Sequence, residues 1–394
     1  MSPSATARIV VDLGFGDSGK GLTVDHLVEQ APDTSLVVRF SGGHQVGHTV
    51  VRGGRCHTFS NFGAGTLLGA PTYYLPDTTL FPPAALLERR ALTPVEPEVL
   101  VHPLAMVTTT YDVAWNQATE RVNRHGSCGV GFGATVERHQ KGIALYAKDL
   151  TNSWVTGHKL AAVNAYYRAR AAGSAVEAAY ETEVTDLDDE VFAAIGRQFI
   201  ETVTLVTADG LPADRPNLVF EGSQGIMLDQ IHGIFPHVTR ADTTSKGALA
   251  LLRSIGWADP VDIHYVTRCY QTRHGNGPMS SIDPVALGHT EAEANVTNRY
   301  QGEFRTAELD LDLINYALTT DAAHHGGFTV RKHLIVTCLD QRPDVSVELI
   351  LAGITTGFVS VSTSHGPDAG AVKTVDLVDP ITGGDLPAPG ASSL

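Results

Sequence analysis

The feature that most constrains the fold of this chain is a glycine-rich loop at residues 14–21, Gly-Phe-Gly-Asp-Ser-Gly-Lys-Gly. A β-branched run precedes it at 7–13, and apolar residues at helical spacing follow it at 20–30. The order strand, glycine loop, helix is the context in which backbone N–H groups and a helix N-terminus hold phosphate. The alternative is a tight turn whose glycines only permit positive φ. The flanking strand and helix favour a phosphate loop.

The loop satisfies only part of the Walker A pattern. Gly14, Gly19 and Lys20 have the required spacing, but position 21 is glycine where that pattern needs a hydroxyl for magnesium. Asp17 could supply the missing oxygen, either to Mg²⁺ or as a base. A simple GTPase switch needs that hydroxyl, so Gly21 argues against it.

Further β-branched runs alternate with helical patterns along the chain. We predict strands at 36–40, 218–220, 261–270 and 333–338, and helices at 160–172 and 190–205. This alternation predicts an α/β fold of the P-loop NTPase-like type, with a large central, mostly parallel sheet flanked by helices. Functional loops are expected at the carboxyl ends of the strands. We expect one domain at 1–379 and a tail at 380–394, which is rich in Gly, Pro, Ala and Ser.

Composition and charge argue against nucleic-acid binding, a disulfide framework, a zinc site and a membrane span. The net charge of -15 argues against a sequence-independent grip on nucleic acid, which depends on Lys and Arg neutralising phosphates. The four cysteines are far apart without a C-x-x-C pair, which favours a reducing cytoplasm over a disulfide framework or a zinc site. No basic, apolar leader and no run of membrane-spanning length is present. We therefore expect a soluble cytoplasmic protein.

Two further loops carry polar groups after predicted strands. The loop at 41–49 presents two histidines between glycines, and either could donate to a phosphate, although a loop histidine alone is more often structurally bonded. In the long segment 221–245, Gln224 suits a purine edge and Thr239 could meet a phosphate. Capping of the loop by its own side chains is the alternative there.

Together these loops resemble the adenylosuccinate synthetase family, whose phosphate loop usually reads G-x-x-W-G-D-E-G-K-G and whose second loop reads G-G-x-N-A-G-H-T. Matching stretches continue in order at 111–114, 221–244, 272–278, 336–340 and 364–367. The resemblance implies a carbon-nitrogen ligase that uses GTP and Mg²⁺ to join L-aspartate to a 6-oxopurine nucleotide, with IMP as the default acceptor. The reaction would pass through a 6-phosphoryl intermediate and give adenylosuccinate, GDP and phosphate. A homodimer is also implied.

The resemblance further implies site residues. Asp17 would take the N1 proton and, with the Gly47 carbonyl, hold Mg²⁺, while His48 would stabilise the transferring phosphoryl group. The residues implied for GTP are Gly16, Ser18, Gly19, Lys20, Gly21, Gly47, His48, Thr49, Arg305, Cys338, Asp340, Ser364 and Gly366. Those implied for the acceptor nucleotide are Asp17, Gln45, Cys128, Arg138, Gln224 and Thr239. Those implied for aspartate are Thr297, Asn298, Arg299 and Arg305.

Four departures from the family pattern gather around the acceptor. Ser18 replaces a Glu, Phe15 a Trp and Gln45 an Asn, and in the segment 126–131 Cys128 and Val130 replace a phosphate-binding Thr and an Arg. Loss of a carboxylate at position 18 changes the charge and hydrogen bonding near the acceptor. Another acceptor, such as dGMP or a nucleotide of secondary metabolism, therefore stays open beside IMP.

Three further alternatives remain open. Asp340 matches the family's guanine-selecting Asp, but Cys338 stands where a Lys usually covers the base, so ATP is kept beside GTP. Arg138 or Lys141 would replace the arginine that the family's partner subunit provides. A non-catalytic nucleotide-binding regulatory protein is the third alternative, and retention of both the base and the phosphoryl stabiliser argues against it.

Overall fold

The structure is a computed structural model that describes residues 5–288 and 300–381. Its centre is a ten-stranded sheet. With strands numbered in chain order, the sheet runs from one edge to the other as β16 (Val372–Ile381), β15 (Phe358–Ser364), β14 (Val330–Thr337), β11 (Val261–Arg268), β1 (Thr6–Asp12), β10 (Asn217–Glu221), β2 (Ser35–Arg39), β5 (Thr72–Tyr74), β7 (Val99–Val101) and β9 (Thr204–Leu205). Neighbouring strands are parallel except at the edge pair β15 and β16.

Smaller pairings and helices surround this sheet. The two-stranded pairings are β3 (His48–Arg52) with β4 (Arg55–Phe59), β6 (Thr79–Leu80) with β8 (Met106–Val107), and β12 (Tyr270–His274) with β13 (Phe304–Glu308). The helices are α1 (Lys20–Glu29), α2 (Pro82–Ala91), α3 (Thr110–Asn123), α4 (Phe132–Gln140), α5 (Ser153–Ala171), α6 (Glu177–Val184), α7 (Asp189–Ile200), α8 (Lys246–Ser254), α9 (Leu311–Ala322) and α10 (Val347–Ala352). In the described ranges, no helix is both long and apolar enough to cross a membrane.

The central strands are apolar on both faces because helices cover both. On β1, Ile9 packs into the cluster that contains Leu249 of α8, whereas Val10 packs into the opposite cluster with Val24 and Leu27 of α1. Burial on both faces explains why these strands are continuous β-branched runs without polar alternation. The predicted α/β fold with a large, mostly parallel sheet is confirmed.

All five predicted strands are present, with differences at their ends. The predicted run 261–270 covers two elements, since β11 ends at Arg268 and β12 then leaves the main sheet. The helix predicted at 190–205 was too long, because α7 ends at Ile200 and residues 204–205 form the edge strand β9. The boundary predicted at 379 falls inside β16, which is held by pairing with β15. Residues 382–394 lie outside the described residues.

Candidate active site

A cleft of about 560 Å³ lies at the carboxyl edge of the sheet, where the loops that follow β1, β2, β10, β11 and β14 meet. Most of the predicted site residues line it together: Gly16, Asp17, Gly19, Lys20, Gly21, Gln45, Gly47, His48, Thr49, Cys128, Gln224, Cys338, Asp340 and Gly366. These positions are far apart in sequence. The parallel sheet brings them to one edge because its strands end on the same side.

The phosphate loop is organised around the buried carboxylate of Asp12, the last residue of β1. Its Oδ1 accepts from the Gly14 N–H at 2.8 Å, and its Oδ2 accepts from the Ser18 N–H at 3.3 Å and from Lys20 Nζ at 2.8 Å. Lys20 is therefore already ion-paired. Its positive charge remains at the cleft, where an arriving phosphate would compete with Asp12 for the ammonium group.

Gly21 occupies the position where a Walker A loop carries its hydroxyl, and packing explains why a side chain is absent. A Cβ at this position would lie 2.8 Å from the Thr49 carbonyl oxygen and 3.1 Å from Cβ of His48. Strand β3 thus runs directly against the first turn of α1. This close approach excludes a serine or threonine and places His48 beside the loop.

Asp17 projects from the tip of the loop in the left-handed region, with φ of 60°. Its carbonyl accepts a 2.6 Å hydrogen bond from Nε of Arg268, and its carboxylate Oδ2 lies 3.5 Å from Nε2 of His274. Burial raises the pKa of Asp17, and His274, Lys20 and Arg268 oppose that rise. A carboxyl group with a raised pKa on the cleft wall is suited to accept a proton near neutral pH.

His48 forms a buried pair with Glu221, the last residue of β10. Nδ1 of His48 lies 2.5 Å from Oε1 of Glu221, whose Oε2 accepts from the Ala64 N–H at 3.3 Å. Burial lowers the pKa of His48, although Glu221 opposes the change. Burial alone would raise the pKa of Glu221, but His48 and Arg39 hold it below its ordinary value. The pair therefore consists of an ionised carboxylate and an imidazole whose Nδ1–H donates to it.

The other histidine of the second loop is structural. His44 contacts Thr79 Oγ1 through Nδ1 at 3.1 Å and the Val130 carbonyl through Nε2 at 2.9 Å. Burial lowers the pKa of His44 to about 4. Arg39 supports the same loop by donating to the Gly43 carbonyl at 2.8 Å. His44 therefore joins the second loop to the segment that contains Val130.

Two glutamines face each other across the part of the cleft assigned to the acceptor. Nε2 of Gln45 donates to Oε1 of Gln224 at 3.3 Å, and Gln224 is held at φ of 46°. Oε1 of Gln45 is buried and has no hydrogen-bond partner among the described residues. A buried acceptor without a donor is costly, so this atom is available to a donor on a ligand.

The side of the cleft below β14 carries the residues predicted for the donor nucleotide. Cys338 follows β14 at φ of 60°, and its carbonyl accepts a 3.1 Å contact from Sγ of Cys269. Thr337 donates to the Ser18 carbonyl at 2.9 Å, which ties this segment to the phosphate loop. Asp340 and Gly366 line the cleft next to it.

Arg138 needs a correction. Its side chain is fully buried, and its guanidinium donates to both carboxylate oxygens of Asp112, at 2.8 and 2.9 Å, and to the carbonyls of Val107 and Ile143. Tyr167 donates to the same carboxylate at 2.6 Å. Four of the five N–H donors of this guanidinium are used inside its own protomer and the side chain is fully buried, so a role for Arg138 at the acceptor is withdrawn.

Several other predicted residues lie near the cleft without lining it. The Ser18 hydroxyl donates back to the Gly16 carbonyl at 3.3 Å, and the Ser364 hydroxyl donates to the Gly366 carbonyl at 2.8 Å. Thr239 is placed by its N–H, which donates to the carbonyl of the cleft residue Leu228 at 2.8 Å. Thr297, Asn298 and Arg299 lie outside the described residues.

Arg305 lies on β13 directly opposite Arg273 of β12. Arg273 is 2% exposed, donates to the carbonyls of Pro278 and His237, and stacks over the Phe15 ring at 4.3 Å. Burial and the nearby Arg305 lower the pKa of Arg273 to about 10. Within the described ranges, neither guanidinium forms an ion pair with a carboxylate. Two adjacent guanidinium groups that form no ion pair with a described carboxylate favour an anionic ligand.

The sequence interpretation missed four residues that organise the site. Glu221 and His274 lie within the matching stretches 221–244 and 272–278, to which the resemblance assigns no role for them, and Asp12 and Arg268 lie within the predicted strands 7–13 and 261–270. Asp12 and Arg268 each end a central strand, and a charged residue at the end of an apolar strand is a signal that could have identified them. The contact between His274 and Asp17 has no local signal.

A metal would find oxygen ligands beside the phosphate loop. Asp17 and Gly47 both line the cleft, and no group of three or more His, Cys, Asp or Glu side chains in the described residues could hold an ion by itself. Mg²⁺ is usually bound by one or two carboxylates together with substrate phosphates. One carboxylate and one carbonyl next to a phosphate loop therefore fit Mg²⁺ bound jointly with a nucleotide.

Comparison with known proteins connects this geometry to one family. A sequence model described as adenylosuccinate synthetase matches residues 9–335. The adenylosuccinate synthetase of Ectopseudomonas mendocina is 30% identical over 284 residues, which span 69% of this chain and 64% of that protein. The corresponding protein of Dichelobacter nodosus is 29% identical over 328 residues, which span 79% of this chain and 73% of that protein. The chain thus matches somewhat less than two thirds of the first relative's length.

Two solved structures share the fold. Fully ligated adenylosuccinate synthetase from Plasmodium falciparum has a TM-score of 0.65 and 16% identity, covering 91% of this chain and 80% of its own. Succinoaminodeoxyadenylate synthetase of cyanophage S-2L, bound to dGMP and to dATP as an energy donor, has a TM-score of 0.60 and 19% identity, covering 94% of this chain and 95% of its own. Because the family's sequence model matches most of its length, the chain belongs to the adenylosuccinate synthetase family.

Proposed function

We propose that this protein is a carbon-nitrogen ligase that joins L-aspartate to a 6-oxopurine nucleotide at the expense of GTP, with IMP as the default acceptor. The observation that carries the proposal is the meeting of Asp17 and the His48–Glu221 pair on one phosphate-loop cleft. One group can take a proton and the other can stabilise phosphoryl charge. Both are needed to make a purine oxygen attack a γ-phosphate.

In the proposed first step, Asp17 accepts the N1 proton of the acceptor, and the 6-oxygen attacks the γ-phosphate. Burial raises the pKa of Asp17, which makes the carboxylate a stronger base than a solvated one. His48 can donate to the transferring group only as the imidazolium, through Nε2–H, while Glu221 accepts from Nδ1–H and stabilises that positive charge. Mg²⁺ held with the nucleotide by Asp17 and Gly47 would neutralise phosphate charge.

In the proposed second step, the amine of aspartate displaces the 6-phosphate and forms the C–N bond. The adjacent Arg273 and Arg305 support a dicarboxylate as the amine donor, since bidentate guanidinium contacts suit carboxylates. Gln224 and the unpartnered oxygen of Gln45 support a purine edge that offers both a donor and an acceptor.

A second candidate is the same chemistry on dGMP, with ATP as an alternative energy donor. The alignment with the cyanophage protein bound to dGMP and dATP spans nearly all of both chains. The alignment with the ligated Plasmodium protein spans a smaller share of the Plasmodium chain. The replacements at Gln45 and Cys128 lie on the cleft wall and support a changed acceptor. Cys338 at the donor side supports testing ATP beside GTP.

The test is a phosphate-release assay with Mg²⁺, L-aspartate and either GTP or ATP, run separately with IMP, dGMP and related nucleotides. The default predicts aspartate-dependent release with IMP, together with formation of adenylosuccinate. Asp17→Asn is expected to abolish turnover while GTP still binds. Turnover of dGMP without turnover of IMP would select the second candidate. GTP binding without turnover across the whole panel would instead favour a non-catalytic regulatory protein.

Assembly and location remain part of the proposal. We propose a homodimer in the cytoplasm, and the unbridged thiols of Cys56, Cys128 and Cys269 support a reducing compartment. The withdrawal of Arg138 leaves Lys141 as the remaining candidate for an arginine substitute. Sedimentation analysis of the purified chain tests the dimer.

A further inference from the structure

We propose that His274 is a positioning residue that orients the carboxylate of Asp17, and this inference rests on the proposed role of Asp17 as the base. Nε2 of His274, on β12, lies 3.5 Å from Oδ2 of Asp17. Among the described residues, no other group is hydrogen-bonded to or ion-paired with this carboxylate. Its orientation therefore depends on one contact.

The backbone under Asp17 is already fixed, and the carboxylate is what remains to be placed. The Asp17 carbonyl accepts from Arg268, and the neighbouring Gly16 carbonyl accepts from Thr272 Oγ1 at 3.2 Å. These contacts determine where Cβ of Asp17 points. The terminal torsion of an aspartate is broad, so the two oxygens could still exchange places or turn out of line. A second donor is needed to hold one of them.

His274 is built to be that donor because its own position is rigid. It is the last residue of β12, pairs in register with Phe304 of β13, and its ring centroid lies 4.9 Å from that of Phe304. Its side chain is 12% exposed. The imidazole is thus held by a strand and an aromatic ring, whereas Asp17 lies on a loop.

The other ring nitrogen fixes the tautomer. Nδ1 of His274 is buried and has no hydrogen-bond partner among residues 5–288 and 300–381. A buried N–H without an acceptor is rarer than an unpaired acceptor, so the proton of the neutral ring belongs on Nε2, the atom that faces Asp17. Nε2–H then faces Oδ2, and Oδ1 is left for the acceptor's N1–H. A separation of 3.5 Å is long, and such contacts commonly shorten when substrate binds.

The strand order places His274 and the other cleft residues on opposite sides of Asp17. The phosphate loop follows β1, with β10 and β2 on one side and β11, which leads into β12, on the other. Gln224 and His48 reach the cleft from the first side, and His274 reaches it from the second. Asp17 stands between them. The side of β10 and β2 is thus left to the purine and the phosphoryl group, while His274 contacts Asp17 from the side of β11 and β12.

The test compares His274→Leu, which removes the donor at similar volume, with His274→Gln, which retains an N–H donor. For Leu we expect kcat to fall about 10- to 100-fold, because misplacement of a base by about 1 Å costs that much. The KM values for GTP, aspartate and acceptor should change less than about threefold. Gln should recover most of kcat. His158→Leu, on the exposed face of α5, is the matched control.

A readout independent of activity is the tautomer of His274. ¹⁵N chemical shifts of the wild-type protein, assigned by the resonances missing from His274→Gln, should show a proton on Nε2. The Nδ1–H form would overturn the inference whether or not the leucine variant folds. So would an unchanged kcat in the leucine variant, a glutamine variant as impaired as the leucine one, or a loss confined to KM. Inactivity of the wild type with every acceptor would contradict the proposed function, while the tautomer would still test this contact.

Discussion

Acidification should loosen the second loop through His44. Burial lowers the pKa of His44 from 6.5 to about 4, so the unfolded chain binds this proton more tightly than the folded chain does. Stability is therefore lost as the pH falls from about 6.5 towards 4, which is the sign expected for a histidine buried in its neutral form. From these two pKa values, the loss attributable to His44 is about 2 kcal/mol by pH 5. Protonation would also turn a ring acceptor away from its partner.

Urea unfolding at pH 8 and pH 5 measures this effect in the wild type and in His44→Gln. At pH 8 the glutamine variant should be less stable, because it loses the contacts with Thr79 and the Val130 carbonyl. At pH 5 the deficit relative to the wild type should shrink by about 2 kcal/mol. Other buried histidines affect both proteins alike. His158→Gln, at an exposed site, is the control for replacing a histidine by glutamine. A pH-independent deficit for His44→Gln would refute the reasoning.

Two further predictions concern Gly21 of the phosphate loop and Glu221, which pairs with His48. Gly21→Ala should lower the free energy of unfolding by about 1–3 kcal/mol, since its Cβ would lie 2.8 Å from the Thr49 carbonyl oxygen. Thermal unfolding measures this loss, and in the same assay Gly157→Ala, in open space on α5, should instead be stabilising by about 0.5–1 kcal/mol. Glu221→Gln should lower kcat about 100-fold with little change in GTP binding, because the imidazole of His48 loses the carboxylate that stabilises its charge. An equal kcat loss in the exposed-site variant Glu201→Gln would contradict that reason.

Local sequence carried a large part of the fold. A short β-branched run predicts a buried strand, and each of the five runs identified in this way contains a strand of the main sheet, although the run 261–270 also includes part of β12, which lies outside that sheet. The loops that follow parallel strands must lie at one edge, so the shared cleft of Asp17, His48 and Gln224 followed from the strand assignments. Element ends were less predictable. The end of α7 and the edge strand β9 depend on pairing with β7, which lies about a hundred positions earlier.

The sequence by itself determined the family, the phosphate loop and the identity of the chemical groups, because these depend on residue types at short spacing. Only the tertiary structure decided what each charged group contacts. Arg138 was available to a phosphate in the sequence, yet Asp112 binds it in the fold. The missing Walker hydroxyl became a packing requirement once β3 lay against Gly21. His274 acquired a role only when β12 brought it 3.5 Å from Asp17. Each of these contacts joins separate segments of the chain, and no local pattern encodes it.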